Sequence, residues 1–349
     1  VIDVFASAPW YVEHIAPVWL ALPPSARGRF HVTPRSAAAA ARLPNVTSDR
    51  ISGDRRPTFV VSFGDLRAVS MTGRDRLALG QHGAGQSYST DHPAYPGGRS
   101  QGAASLFLVP NETAATRTRV TYPHARVAVV GCPKLDTLPG REPGGQAPVI
   151  AFSFHWDGPS IAPELRTAWL HYRTSLAGLT RTYKVIGHAH PKAMSRVERW
   201  YRAAHIETVA SFDEVLRRAD VYACDNSSSL FEFASTGRPV IVLNAPMYRR
   251  DVEHGLRFWA AAGVGVNVDA AHQLRRAIAE AVEDPPERQE AREAALGLVY
   301  QPRTGSAELA AAALLDWASA PAPAARAMRH LDVRRPRAIV RANRRLTGP

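Results

Sequence analysis

The chain has 349 residues, 45% of them apolar, and a formal net charge of +12. That length is comfortable for two domains with a core each, and the apolar fraction excludes a disordered chain. No run of about 18 apolar residues offers a membrane-spanning helix, and the start lacks the basic flank and long apolar stretch of a signal peptide.

In chain order, "VIDVFASAPWYV" reads as a strand and a turn. Strands follow at 58–63, 76–83, 104–111 and 126–132. A stretch with three prolines and three glycines, 138–148, reads as a linker. The second half offers strands at 149–155, 183–191, 206–210, 220–225, 239–244 and 264–268. These are continuous apolar runs, as expected of strands covered on both faces, and helical patterns separate them. Helices are expected at 164–179, 192–205 and 211–219, the last opened by a Ser211/Glu214 capping box, and from 229 to a close at Gly237. The expectation is therefore an α/β chain of two doubly wound parallel-sheet domains, 1–145 and 146–320. A late helix at 306–320 would pack back across the junction. Cys132 and Cys224 lie inside strand-like runs and read as small buried hydrophobes, which fits a reducing cytoplasm.

The charge is concentrated at one end. Residues 321–349 hold eight arginines against one acid, Asp332. Such a tail could bind a nucleic-acid backbone, although it has no aromatic residue to stack on bases. It could equally hold an anionic membrane surface or polyanionic acceptor, which would place the protein peripherally at the inner membrane face. A solvated end is the third reading.

In doubly wound sheets, ligands sit beyond the C-terminal ends of strands, so polar residues that follow strands are the candidates. His82-Gly83 follows one strand. It is either a loop histidine beside a tight turn or a general base near neutral pH. His190 precedes Pro191 at a helix start, where a ring can donate to an anionic oxygen; His188 lies two residues earlier. Ser227, Ser228 and Ser229 lie at a strand-to-helix junction after Asp225 and Asn226. One serine suffices for a cap, so capping and an anion site both stand. "GCPKLD", 131–136, reads alone as a turn. No Asp-x-Asp motif is present, and a metal-independent reaction is expected, with no cofactor beyond an activated donor.

Taken in this order, the motifs resemble the CDP-glycerol glycerophosphotransferase family, the teichoic-acid polymerases and primases. More widely they are similar to GT-B glycosyltransferases that use cytidine nucleotides. The resemblance is carried by His82-Gly83, Gly131-Cys132-Pro133-Lys134-Leu135-Asp136, His190-Pro191 and Asp225-Asn226-Ser227-Ser228, with Arg238-Pro239 after the helix. It spans about residues 75 to 260. It implies a GT-B fold with two Rossmann-like domains facing a cleft, the acceptor held by the N-terminal domain and the donor by the C-terminal one. It further implies His82 as base on an acceptor hydroxyl, His190 on the donor pyrophosphate, and Ser227 and Ser228 on donor phosphate, with Gly83, His188, Asp225, Asn226 and Tyr248 in support. Ser229 is read as helix. Asn226 replaces the family's tyrosine, and Tyr248 is followed by His254-Gly255 rather than Arg-Gly. A CDP-linked donor is therefore favoured over glycerol phosphate in particular. Three alternatives remain: a glycosyltransferase using another nucleotide sugar on a protein or nucleic acid, a nucleic-acid-binding protein acting through its tail, and an epimerase with Asp136 and Glu232 as its carboxylates.

Overall fold

The computed structural model describes residues 1–53, 56–84, 102–145, 147–158, 165–248 and 259–321. The chain forms two compact units. The first is drawn from Val1–Gly85, Tyr95–Thr137 and Tyr300–Pro349, the second chiefly from Leu138–Val299.

Unit 1 runs β1 (Ile2–Ala6), α1 (Pro9–Ala21), β2 (Arg27–Val32), α2 (Ala37–Ala40), β3 (Val46–Thr47), β4 (Thr58–Val60), α3 (Phe63–Ser70), β5 (Leu77–Gly80), β6 (Ala104–Val109), α4 (Glu112–Thr121) and β7 (Arg126–Val129). The seven strands are parallel in the order β3-β2-β1-β4-β5-β6-β7. Alternation along the strands explains the continuous apolar runs. Ala78, Leu106 and Leu108 join the core under α1, while Leu77, Leu79, Phe107 and Val109 join the core under α3 and α4. The segment after β1, expected as a turn, is instead a 13-residue helix opened by Pro9. Proline is preset for that position, and the helix is so apolar that no polar face betrays it. Strands β2 and β3 were not anticipated, because Arg27–Val32 buries only its second half.

Unit 2 runs β8 (Val149–Phe154), α5 (Trp169–Leu176), β9 (Lys184–Ala189), α6 (Met194–Ala203), β10 (Glu207–Thr208), α7 (Phe212–Arg218), β11 (Val221–Cys224), α8 (Ser229–Ala234), β12 (Val240–Leu243), β13 (Val266–Val268), α9 (Leu274–Glu283) and α10 (Pro286–Val299). Its six strands are parallel, ordered β10-β9-β8-β11-β12-β13. Ile150, Phe152, Phe154, Trp169, Tyr172 and Tyr201 build the core on one face. On α7, the Ser211 hydroxyl accepts from Glu214 N at 3.2 Å, and Glu214 reaches back to Ala210 N. Past α8 the chain turns through Gly237 at φ +82°, a conformation that favours glycine.

Helix α11 (Ser306–Ser319) follows unit 2 in the chain yet belongs to unit 1. Ala310, Ala311, Leu314 and Trp317 complete the core beneath α1. Two devices seat it. Asp136 accepts from Gly305 N at 3.0 Å and Ala307 N at 2.7 Å, placing a carboxylate where the first turn has unpaired N–H groups. Gly131 has φ +74°, and a Cβ there would lie 2.2 Å from the Pro302 carbonyl oxygen. "GCPKLD" is therefore a docking segment for α11.

The basic tail from 322 onward, and His254-Gly255, lie outside the described residues. No helix of the described residues is long and apolar enough to cross a membrane.

Candidate functional site

Each sheet has one point where chain order reverses, between β1 and β4 in unit 1 and between β8 and β11 in unit 2. The crevice at the C-terminal strand ends of such a point is where open α/β sheets bind ligands. His82 follows β5, beside the first of these points, while His190 follows β9 and the serines follow β11, at the second.

In unit 1, β5 ends one residue before Gln81, and His82 emerges exposed. Its Nδ1 bonds the carbonyl of Val61, at the end of β4. A carbonyl only accepts, so Nδ1 carries the ring proton and Nε2 is the basic nitrogen. The ring packs edge-on against Tyr11, with centroids 5.3 Å apart, and against His14 at 5.9 Å. Gly83 has φ +112°, which accounts for glycine in the pair. Asn111 steadies the loop: Nδ2 donates to Ala84 O at 3.3 Å while Oδ1 caps α4. Behind His82, burial pushes the His14 pKa well below its usual range, helped by the charges of Lys134 and His82. Lys134 is itself buried and paired with Glu13 at 2.8 Å. The neutral His14 thus spares His82 a second positive charge at close range.

In unit 2, three strand ends converge. β8 gives His155 and Trp156, β9 gives His190, and β11 gives Asp225 to Ser228. Asp225 is fully buried and structural. Its carboxylate accepts from His155 N at 2.8 Å, from Ala168 N at 2.9 Å and from the Thr167 hydroxyl at 3.3 Å, clamping the β8 exit to the start of α5. His190 follows β9 and keeps its backbone bond to Phe154 O. Its ring lies 5.2 Å from that of His155 and 6.2 Å from that of Trp156. His190 Nδ1 accepts from Lys192 N at 3.1 Å. In the neutral ring the proton is therefore on Nε2, so His190 is a donor at its outer nitrogen, the reverse of His82. Lys192 Nζ lies over the Trp156 ring at 4.3 Å.

His155 escaped the sequence reading, which took it as the last residue of a strand. The signal was present, since β8 ends at Phe154 and the residue after a strand end is a candidate by the same rule. Burial drives its pKa down to about 4, Lys192 adds to this, and the Trp156 carbonyl and Asp157 oppose it. It is neutral at pH 7, with Nδ1 bonded to the Trp156 carbonyl.

The serines divide. Ser227 Oγ accepts from Ser229 N at 3.4 Å and from Ser229 Oγ at 2.8 Å. Ser228 stands at the α8 cap position but makes no capping bond through its side chain. Ser229 begins α8 and reaches the Tyr222 hydroxyl at 2.9 Å. His188 does not join His190. It lies within β9, 7% exposed, with Nδ1 2.9 Å from the Ser153 hydroxyl. Asn226 and Tyr248 both donate to Arg166 O, at 3.2 and 2.7 Å. Arg238 donates to Leu216 O and Ala219 O, fixing the end of α7. Of the carboxylates an epimerase would need, both Asp136 oxygens are held by the α11 backbone. Glu232 is buried in α8. Among the described residues, no group of three His, Cys, Asp or Glu is placed to hold a metal ion.

No family model matches the chain, and no curated protein matches it. Solved structures do. A candidate UDP-N-acetylglucosamine 2-epimerase from Listeria monocytogenes aligns at 14% identity over 90% of this chain and 94% of that one, with TM-score 0.60. The S. aureus MnaA–UDP co-structure aligns at 13% identity over 89% and 93%, with TM-score 0.56. The wall teichoic acid polymerase TagF aligns at 13% identity over 90% and 89%, with TM-score 0.52. At such identities the likeness is one of fold: two Rossmann-like parallel sheets with helices, as in GT-B proteins.

Proposed function

We propose that the chain is a transferase that moves a group from a nucleotide diphosphate donor, CDP-linked by preference, to an acceptor hydroxyl. The observation that carries this reading is the opposite hydrogen bonding of two strand-end histidines at Nδ1, one against an acceptor and one against a donor. His82, with Nδ1 tied to Val61 O, offers a basic nitrogen. His190, with Nδ1 accepting from Lys192 N, offers a proton. The first suits removal of a proton and the second suits an anion.

In this reading the acceptor O–H bond breaks and its proton passes to His82 Nε2. The acceptor oxygen forms a bond to the phosphorus or anomeric carbon of the donor. The bond from that atom to the nucleotide phosphate oxygen breaks, and its electron pair leaves with the nucleotide. His190, Ser227 and Ser228 hold the phosphate where that charge develops. His155, neutral at pH 7, adds no charge; its Nε2 is an acceptor for a ribose or base hydrogen. Fold neighbours support a nucleotide ligand in general terms: one structure is a complex with UDP, and TagF was also studied with CDPG. Asp136 speaks against an epimerase, because a carboxylate engaged by two backbone N–H groups is spent on the fold.

A thermal-shift panel of CDP, CMP, UDP, GDP and TDP tests the reading. Cytidine nucleotides should stabilise the chain most, and the Ser227→Ala/Ser228→Ala variant should lose that response. A chain that responds to none of the five is not a nucleotide-dependent transferase.

A further inference from the structure

A run of hydroxyls leads from the serine loop to the buried Tyr222. Ser229 Oγ donates to Ser227 Oγ at 2.8 Å. The Tyr222 hydroxyl lies 2.9 Å from Ser229 Oγ. Tyr222 itself is fully buried.

A hydroxyl has one hydrogen, which fixes the direction of the whole run. Ser229 gives its hydrogen to Ser227, so at the next link Tyr222 must donate. Burial holds the Tyr222 phenol far above its usual pKa, so it keeps the hydrogen this order requires. Cys224 Sγ, 3.9 Å from Ser229 Oγ, is too weak a partner to reverse it. At the far end Ser227 Oγ receives two hydrogens, from Ser229 Oγ and Ser229 N. Its own hydrogen must point away from the run.

We propose that Tyr222 is a positioning residue of the donor site: through Ser229 it compels Ser227 to present its O–H as a hydrogen-bond donor to phosphate. The inference rests on the reading that Ser227 contacts donor phosphate. Without the phenolic hydrogen, Ser229 is no longer obliged to donate. Ser227 can then spend its hydrogen on Ser229 and turn a lone pair toward the anion, which repels it.

The test is calorimetric titration of the full chain with CDP. Tyr222→Phe should weaken CDP about tenfold, the equivalent of about 1.4 kcal/mol. Ser227→Ala should weaken it at least as much. Adding Tyr222→Phe to Ser227→Ala should then change little, because the tyrosine acts only through that serine. Adding Ser229→Ala to Tyr222→Phe removes the oxygen on which Ser227 could spend its hydrogen, and should recover part of the lost affinity. Wild-type affinity in Tyr222→Phe, or a loss that adds fully to that of Ser227→Ala, overturns the proposal and leaves the donor site standing. Absence of CDP binding by the wild-type chain overturns the donor site and the proposal with it.

Discussion

At the scale of single residues, the strand-end rule singles out His82, Gly83, His190 and the serines, and in the structure they follow β5, β9 and β11. What it could not give was protonation. The tautomers of His82 and His190 depend on Val61 O and Lys192 N, and the first of these is 21 residues away in the chain. With His82 as the proposed base, His82→Ala should lower kcat by about 100-fold to 10,000-fold. CDP affinity should hold, and steady-state kinetics beside a CDP titration separate the two effects. The same long reach hid Asp3, which the sequence presents as one acid in a strand. It is fully buried and bonded to Arg74 at 2.9 Å and Arg29 N at 2.8 Å, with His31 close by. Burial raises its pKa, but these partners outweigh burial and take it down to about 2. A carboxyl depressed in the folded state stabilises above its unfolded pKa, and that contribution is lost as pH falls through the folded value. Denaturant melts should therefore show about 2 kcal/mol of stability disappearing between roughly pH 4 and 2, with a flatter profile in Asp3→Asn.

At the scale of elements, the strands buried on both faces were legible because apolar runs of that kind have few other uses. Helix α1 was not, since Pro9 and a nearly continuous apolar stretch imitate a strand and a turn. "GCPKLD" was matched to a family motif but could not be given a task, because its partner, the start of α11, lies some 170 residues on. That task yields two predictions of different size. Gly131→Ala must take a strained φ and push the Pro302 carbonyl aside, costing on the order of 3 kcal/mol. Asp136→Ala removes one helix-terminal acceptor and should cost about 1 kcal/mol. Urea melts of both variants check the ranking, and equal losses would mean that α11 is not seated by Gly131.

At the scale of the whole molecule, two parallel α/β units could be read from alternating strand and helix patterns. The membership of α11 could not, because sequence order says nothing of which core a late amphipathic helix will join. Unit 1 depends on it: Leu314 and Trp317 lie among Ile15, Trp19 and Phe59. Leu314→Ala should cost about 2–5 kcal/mol. A chain ended after residue 299 should lose hydrogen-exchange protection in β1, β4 and β5 and keep it in β8, β9 and β11, whose core is drawn from within Leu138–Val299.

The return of α11 also bears on the order of events at the ribosome. Domains ordinarily fold as they emerge, the N-terminal one first. Here the first unit to be translated is the last to be finished, since its closing helix is translated after the whole of the second. Until then the side of that core that Ala310, Leu314 and Trp317 close lies open, a surface for chaperones to guard throughout the synthesis of unit 2.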